Sequence, residues 1–479
     1  VIGLVMLVFA IISGGWVAES PTWAPWFDYT GVQLTWILVG YGFVAAVLPV
    51  WLLLAPRDYL STFLKIGTIV GLAIGILIMR PTLTMPALTK FVDGTGPVWS
   101  GNLFPFLFIT IACGAVSGFH ALISSGTTPK MLANESQACF IGYGGMLMES
   151  FVAIMALVAA CIIDPGVYFA MNSPMAVLAP AGTTDVVASA AQVVSGWGFS
   201  ITPDTLHQIA SEVGEQSIIS RAGGAPTLAV GMAYILHGSL GGLMDVSFWY
   251  HFAILFEALF ILTAVDAGTR AARFMLQDLL GVISPGLKKT SSLPANLLAT
   301  ALCVLAWGYF LHQGVVDPLG GINTLWPLFG IANQMLAGMA LMLCAVVLFK
   351  MKRQRYAWVA LLPTSWLLIC TLTAGWQKSF SPDTKVGFLA IANKFQAMID
   401  SGNIPPQYTE SQLAQLVFNN RLDAGLTIFF MIVVVVLALF SIKTALAALK
   451  EDKPTAKETP YQAMPADAQT ITAQAKRAH

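Results

Sequence analysis

The stretch FPFLFITIACGAVSGFHALISSGTTPK, residues 104–130, decides how this chain is read. It belongs to an apolar run, 102–123, long enough to cross the roughly 30 Å hydrocarbon core of a bilayer as a helix. Yet Gly114, Ser117 and Gly118 sit in its middle, where each glycine weakens a helix by about 1 kcal/mol relative to alanine. Ser124, Ser125, Gly126, Thr127, Thr128 and Pro129 then end it. The spacing predicts a membrane helix interrupted near its midpoint. Such a break turns N–H groups and the positive end of a helix dipole toward the membrane interior, an arrangement that receives an anionic solute. His120 follows Gly118 by two residues. It is either a hydrogen-bonded histidine on an apolar face or a ligand and proton carrier.

The rest of the chain supports a membrane reading. Of 479 residues, 57% are hydrophobic and only 10% charged, and the mean hydropathy is +0.75. A soluble domain carries about 25% charged residues. So few charges cannot cover a water-exposed surface of this size. Apolar runs of spanning length lie at 1–16, 33–55, 60–79, 102–123, 139–163, 246–266, 293–311, 325–349, 356–376 and 422–443. They lack the alternation of membrane strands, so the expected fold class is an all-α polytopic membrane protein. The segment 225–241 is short and glycine-rich and is expected to be re-entrant or broken. The chain begins at Val1 directly in an apolar run, with no charged leader segment, and is read as part of a longer protein. The six cysteines show no CxxC or Cys/His ligand spacing and read as small apolar residues. A formal net charge of zero argues against nucleic acid as a partner.

Basic residues orient the spans. With alternate loops on alternate sides, sixteen Lys and Arg fall on one side, Arg57, Arg270, Arg273 and Lys350 among them, and seven on the other, with Lys65 left inside a span. The richer side is cytoplasmic. This divides the chain into a transmembrane domain over 1–443, periplasmic loops at 164–224 and 377–421, and a cytoplasmic disordered tail at 444–479. The first loop carries amphipathic stretches such as 203–213 and is expected to form short surface helices.

An ionisable group at mid-bilayer is penalised by about 2.5–3.5 kcal/mol on insertion scales. Each one therefore calls for a partner or a use. Lys65 lies in LSTFLKIGTIVGLAIG, 60–75, and either snorkels toward Arg57 and Asp58 or stays buried as an ammonium able to carry a proton. Gly67, Gly71 and Gly75 follow it, a small-residue stripe that lets another helix approach. The stretch FEALFILTAVDAGTRAARF, 256–274, carries Glu257, Thr263, Asp266, Thr269 and Arg270. Asp266 and Arg270 are one turn apart and can pair, while Thr263 and Thr269 offer oxygens to a cation or proton site. Glu149 follows Gly142, Gly144 and Gly145 mid-span, so its partner must come from another helix. Asn333 and Gln334 are adjacent amides inside 325–349, which either bond between helices or contact substrate.

The blocks RDYLSTFLKIGTIVG (57–71), ITIACGAVSGFHALISSGTTPKML (109–132), IGYGGMLMESFVAIM (141–155), FEALFILTAVDAGTRAARFMLQDLLG (256–281) and WPLFGIANQMLAGMALM (326–342) closely resemble the carbon starvation protein A family of bacteria, from residue 1 to the tail. The resemblance implies a bacterial inner-membrane importer made when carbon runs short, with members described as peptide transporters and relatives as pyruvate–proton symporters. It implies further spans ahead of Val1, one of them glycine- and proline-rich and lining the site. The family is grouped with the amino acid–polyamine–organocation superfamily. Its LeuT-like fold is an inverted five-helix repeat with broken first and sixth helices. On that mapping 102–123 is the sixth helix, 60–79 the fifth and 246–266 the eighth, and Lys65 occupies the place of a coupling cation.

These readings combine into a proton-coupled symporter for short peptides or pyruvate-like carboxylates. Substrate-binding residues are expected to be Gly114, Ser117, Gly118, His120, Glu149, Asn333 and Gln334. Lys65, Glu257, Thr263, Asp266 and Thr269 are expected to couple the proton. Small solute, protons and membrane lipids are the partners; no cofactor or metal is expected. A channel is the alternative within the class. A membrane enzyme lacks support, since neither HExxH nor GxSxG occurs, and a starvation sensor would need a signalling domain.

Overall fold

The computed structural model describes residues 2–114, 116–180, 182–290, 292–317, 321–405, 408–458 and 460. Among the described residues every regular element is helical, and seven helices are long and apolar enough to cross a membrane. In chain order the principal helices are α1 (Ile2–Glu19), α2 (Gly31–Val47), α3 (Leu54–Met79), α4 (Leu103–Ile111), α5 (Gly118–Gly126), α6 (Gln137–Cys161), α7 (Pro165–Asn172), α8 (Val186–Gly196), α9 (Pro203–Val213), α10 (Gly224–Ser239), α11 (Val246–Ile283), α12 (Leu293–Val316), α13 (Gly321–Lys350), α14 (Trp358–Phe380), α15 (Phe388–Asp400) and α16 (Glu410–Lys450). The chain is a polytopic α-helical membrane protein.

The run 1–16 forms the helix expected of it, α1, of 18 residues, whereas two of the ten expected spans take another form. The run 33–55 stops early, as the 17-residue α2, because Pro49 drives Leu48 out of the helical region (ψ 149°). The run 102–123 is broken, as its glycines predict: α4 gives way to a 3₁₀ turn at Ala112–Gly114, and α5 restarts at Gly118. Two other spans are longer than their apolar cores. The helix expected over 246–266 continues to Ile283, since no proline intervenes before Pro285 and its charged residues find partners. The helix expected over 422–443 starts at Glu410, under a Thr409 capping box, so 410–421 belongs to a helix and not to the loop 377–421.

The segment 225–241 folds as one unbroken helix, α10, wedged against α3, α6 and α11. Its expected break is absent because a close-packed groove replaces lipid along its length. At Gly231 an added Cβ would meet the Ala159 carbonyl oxygen at 2.1 Å. The loop 164–224 forms the expected short helices, with α9 at the anticipated 203–213. They do more than lie on a surface. Phe91, Phe169, Trp197 and Phe199 stack into an aromatic cluster, and Val167, Leu206 and Val213 join a core that runs down into α10 and α11. A smaller apolar cluster ties α15 to the start of α16 through Phe395, Leu413, Leu416 and Val417. Most of the tail, 461–479, lies outside the described residues. Its first part packs back: Lys352 donates to the Ala448 carbonyl, and Arg353 pairs with Glu458 at 3.2 Å.

Candidate functional site

Two polar clusters occupy membrane depth, and α11 touches both. The first surrounds the break. Ser117 caps α5 by accepting from the His120 N–H at 3.3 Å. Asn333 Oδ1 accepts from the Phe119 N–H at 2.7 Å, and Gln334 Nε2 donates to the Phe108 carbonyl at 2.5 Å. The two adjacent amides of α13 thus hold the two halves of the broken helix, one each. Both are buried, at 3% and 0% exposure. Of the alternatives left by the sequence, bonding between helices is the one observed. Gly118 is where α5 meets α13 most closely: a Cβ there would lie 2.0 Å from the Asn333 carbonyl oxygen.

On the open side of the break, His120 Nε2 lies 3.6 Å from Glu149 Oε2 of α6, with side-chain exposures of 56% and 36%. Glu149 therefore has its partner on another helix. Cys113 Sγ lies 2.9 Å from Ser117 Oγ and 4.0 Å from His120 Nδ1. Donor atoms of Cys113, His120 and Glu149 fall within 4.8 Å of one another. A thiol, an imidazole and a carboxylate so placed can exchange protons, and they are also a donor set that a zinc-like ion accepts. Spacing along the chain showed no sign of this, and Cys113 read as a bland apolar residue. The signal lay in three segments that only folding brings together.

The second cluster joins α2, α3 and α11. Lys65 Nζ donates to Thr263 Oγ1 at 2.7 Å and stands 4.9 Å from the centre of the Phe260 ring. Asp266, 1% exposed, pairs with Arg57 Nη1 at 2.7 Å and accepts from the Tyr41 hydroxyl at 3.0 Å. Arg57 also donates to Thr263 at 3.2 Å and pairs with Asp58 at 3.1 Å. The expected Asp266–Arg270 pair does not form. Arg270 turns away to the carbonyls of Ala45 (2.6 Å) and Leu48 (2.8 Å), and Arg273 to that of Ala46 (2.7 Å). These two arginines cap the C-terminus of α2, where carbonyls have no helical partner. Arg57 supplies the charge instead, from a position counted among the basic residues of the cytoplasmic side.

Thr269 is buried on the same helix, whereas Glu257 is half-buried and makes no hydrogen bond or ion pair among the described residues. The glycine stripe after Lys65 is used only at Gly75, which meets Ile235 and Ser239 of α10; Gly67 and Gly71 face open space among the described residues. Sequence reading also missed Lys378, taken for a loop residue. It is 6% exposed near the end of α14, with the rings of Trp99, Phe106 and Phe388 at 5.2, 5.3 and 5.8 Å from its ammonium.

The fold and these clusters define a polytopic membrane protein whose polar groups gather around an interrupted helix. The family model of carbon starvation protein CstA matches residues 1–374, and the chain belongs to that family. It is 93% identical to the peptide transporter CstA of Escherichia coli (strain K12) over 98% of its own length and 67% of that protein's. It is 58% identical to the pyruvate/proton symporter BtsT of the same organism, over 97% of the chain and 67% of that protein. With the peptide transporter CstA of Helicobacter pylori (strain ATCC 700392 / 26695) it shares 51% identity over 96% of the chain and 67% of that protein. The chain spans about two thirds of the length of these relatives. No solved structure matches it.

Proposed function

We propose that this chain serves proton-coupled import of short peptides or pyruvate-like carboxylates across a bacterial inner membrane, with its C-terminus in the cytoplasm. The carrying observation is the break at Ala112–Gly118, capped by Ser117 and opening onto the facing pair His120–Glu149. The names of the relatives, peptide transporter and pyruvate/proton symporter, agree with that chemistry.

The solute carboxylate would approach the N-terminus of α5. Two of its N–H groups already have side-chain partners, so the charge would be met chiefly by the dipole end and by the His120 imidazole. Asn333 and Gln334 hold the break open and position it. On a LeuT-like arrangement, α4–α5 is the broken sixth helix, α3 the fifth and α11 the eighth. Lys65 then stands where a coupling cation would otherwise sit, and it reports its protonation to Thr263. Helix α11 relays that change, because Gly268 packs on the Phe119 ring, close enough that a Cβ would lie 2.9 Å away. Phe119 in turn is the residue held by Asn333.

The test is uptake into proteoliposomes. Labelled pyruvate should accumulate saturably under an inward proton gradient and exchange by counterflow, with di- and tripeptides as competitors. Flux that neither saturates nor follows the gradient would instead indicate a channel. In Lys65→Ala, counterflow should persist while gradient-driven accumulation falls to background. Retained gradient-driven accumulation in that variant removes Lys65 from the coupling step.

A further inference from the structure

The open side of the break has a capacity that solute binding does not use. Cys113 lies in the 3₁₀ turn Ala112–Gly114, His120 in the first turn of α5 and Glu149 on α6. The three donors thus come from both halves of the interrupted helix and from a third element beside it. One ligand atom from each falls within 4.8 Å of the other two. Around a tetrahedral zinc such atoms stand about 3.3–3.6 Å apart, given bonds of about 2.3 Å to sulfur and about 2.0 Å to nitrogen and oxygen. Closing on an ion therefore takes a movement of about 1 Å, and His120 and Glu149, with side chains 56% and 36% exposed, have room to turn. The sulfur also has support. Ser117 Oγ, 2.9 Å from it, already accepts from the His120 N–H, which leaves the serine proton to donate to a metal-bound thiolate.

Thiolate and imidazole select a borderline-soft ion such as zinc over magnesium and calcium, which take oxygen ligands. A thiolate and a carboxylate together also balance the charge of a divalent ion. Three protein ligands leave one tetrahedral position for water or an incoming carboxylate. We propose that Cys113, His120 and Glu149 form a binding site for one zinc ion, which ties both halves of the broken helix to α6 and inhibits transport. The ion acts as an inhibitor and not as a cofactor, because it takes up the imidazole and carboxylate that otherwise face the solute. Zinc binding stands on the donor geometry alone; the inhibition rests on the transport function proposed above.

The experiment uses the purified, untagged protein after chelator treatment, with cobalt(II) as the spectroscopic stand-in for zinc. Titration should saturate at one cobalt per chain and give a thiolate-to-cobalt charge-transfer band with tetrahedral d–d absorption. Zinc should bleach both signals, and excess magnesium or calcium should not. Cys113→Ser should lose the charge-transfer band, and Glu149→Gln should weaken zinc binding at least tenfold. Removing the exposed thiols elsewhere, as Cys139→Ser with Cys344→Ser, should change neither. In proteoliposomes, zinc on both faces should stop gradient-driven pyruvate accumulation, and a chelator should restore it. The site is overturned by the lack of saturable binding, by a charge-transfer band that survives Cys113→Ser, or by unchanged zinc affinity in Glu149→Gln. Zinc bound at Cys113 with accumulation unaffected overturns the inhibition. A protein that accumulates no solute even without zinc fails the transport reading, and the cobalt titration still decides the site.

Discussion

Asp266 shows how much one residue in the membrane depends on another helix. A carboxylate 1% exposed is held only because Arg57 and Tyr41 reach it from α3 and α2. Removing one partner of a buried pair strands the other charge, at a cost of about 3–5 kcal/mol. Arg57→Met should therefore lower the melting temperature sharply, and adding Asp266→Leu should restore much of the loss; a differential-scanning measurement on both variants checks this. Gly118 is limited by space. With the Asn333 carbonyl 2.0 Å from any added Cβ, Gly118→Ala must push α5 off α13 and misplace the Phe119–Asn333 hydrogen bond. Transport should drop by at least tenfold, while Gly142→Ala, with nothing within 4 Å, should transport normally. Glycines that read alike in the sequence are separated here by what packs against them. The sequence located Lys65, Thr263, Asp266, His120 and Glu149 as residues in need of partners. It could not say that Asp266 would take Arg57, because helical spacing made Arg270 an equally good local candidate.

At the scale of elements, α11 is the organising helix. Its middle carries Thr263 and Asp266, Gly268 receives α5, and Arg270 and Arg273 cap α2. Two guanidinium groups on main-chain carbonyls are charge-assisted hydrogen bonds, each worth about 1.5–3 kcal/mol. Arg270→Met together with Arg273→Met should fray the end of α2. Hydrogen exchange of the amides at 45–52 should quicken by at least tenfold while α13 stays protected. The apolar run over 33–55 held no hint of where α2 ends beyond Pro49, and none of what would cap it. By contrast, the interruption at Gly114–Gly118 was legible from composition alone. Two glycines and a capping serine in an otherwise apolar run act locally, whatever packs outside.

Across the whole molecule, α16 is 41 residues long, about 60 Å at 1.5 Å per residue and twice the hydrocarbon thickness. Its first part leaves the membrane and packs on α15, and its last turn lies beside the 350–356 loop and the start of the tail. The orientation proposed above puts the α15 end outside. A membrane-impermeant thiol reagent applied to whole cells should therefore label Lys385→Cys, and should label Lys453→Cys only after permeabilisation. The reverse pattern would invert the topology.

Membrane residence, helical class, the interrupted span and the presence of Lys65, Glu149, Glu257 and Asp266 within spans were determined by the amino-acid sequence by itself. All of these follow from local hydropathy, from propensity and from the penalty on charge in hydrocarbon, none of which needs a neighbour. The pairing of those residues, the arginine caps on α2, the unbroken α10 and the meeting of Cys113 with His120 and Glu149 were decided only by the tertiary structure. Each depends on which surfaces come within hydrogen-bonding or van der Waals distance, and residues far apart along the chain acquire that distance only when the helices pack.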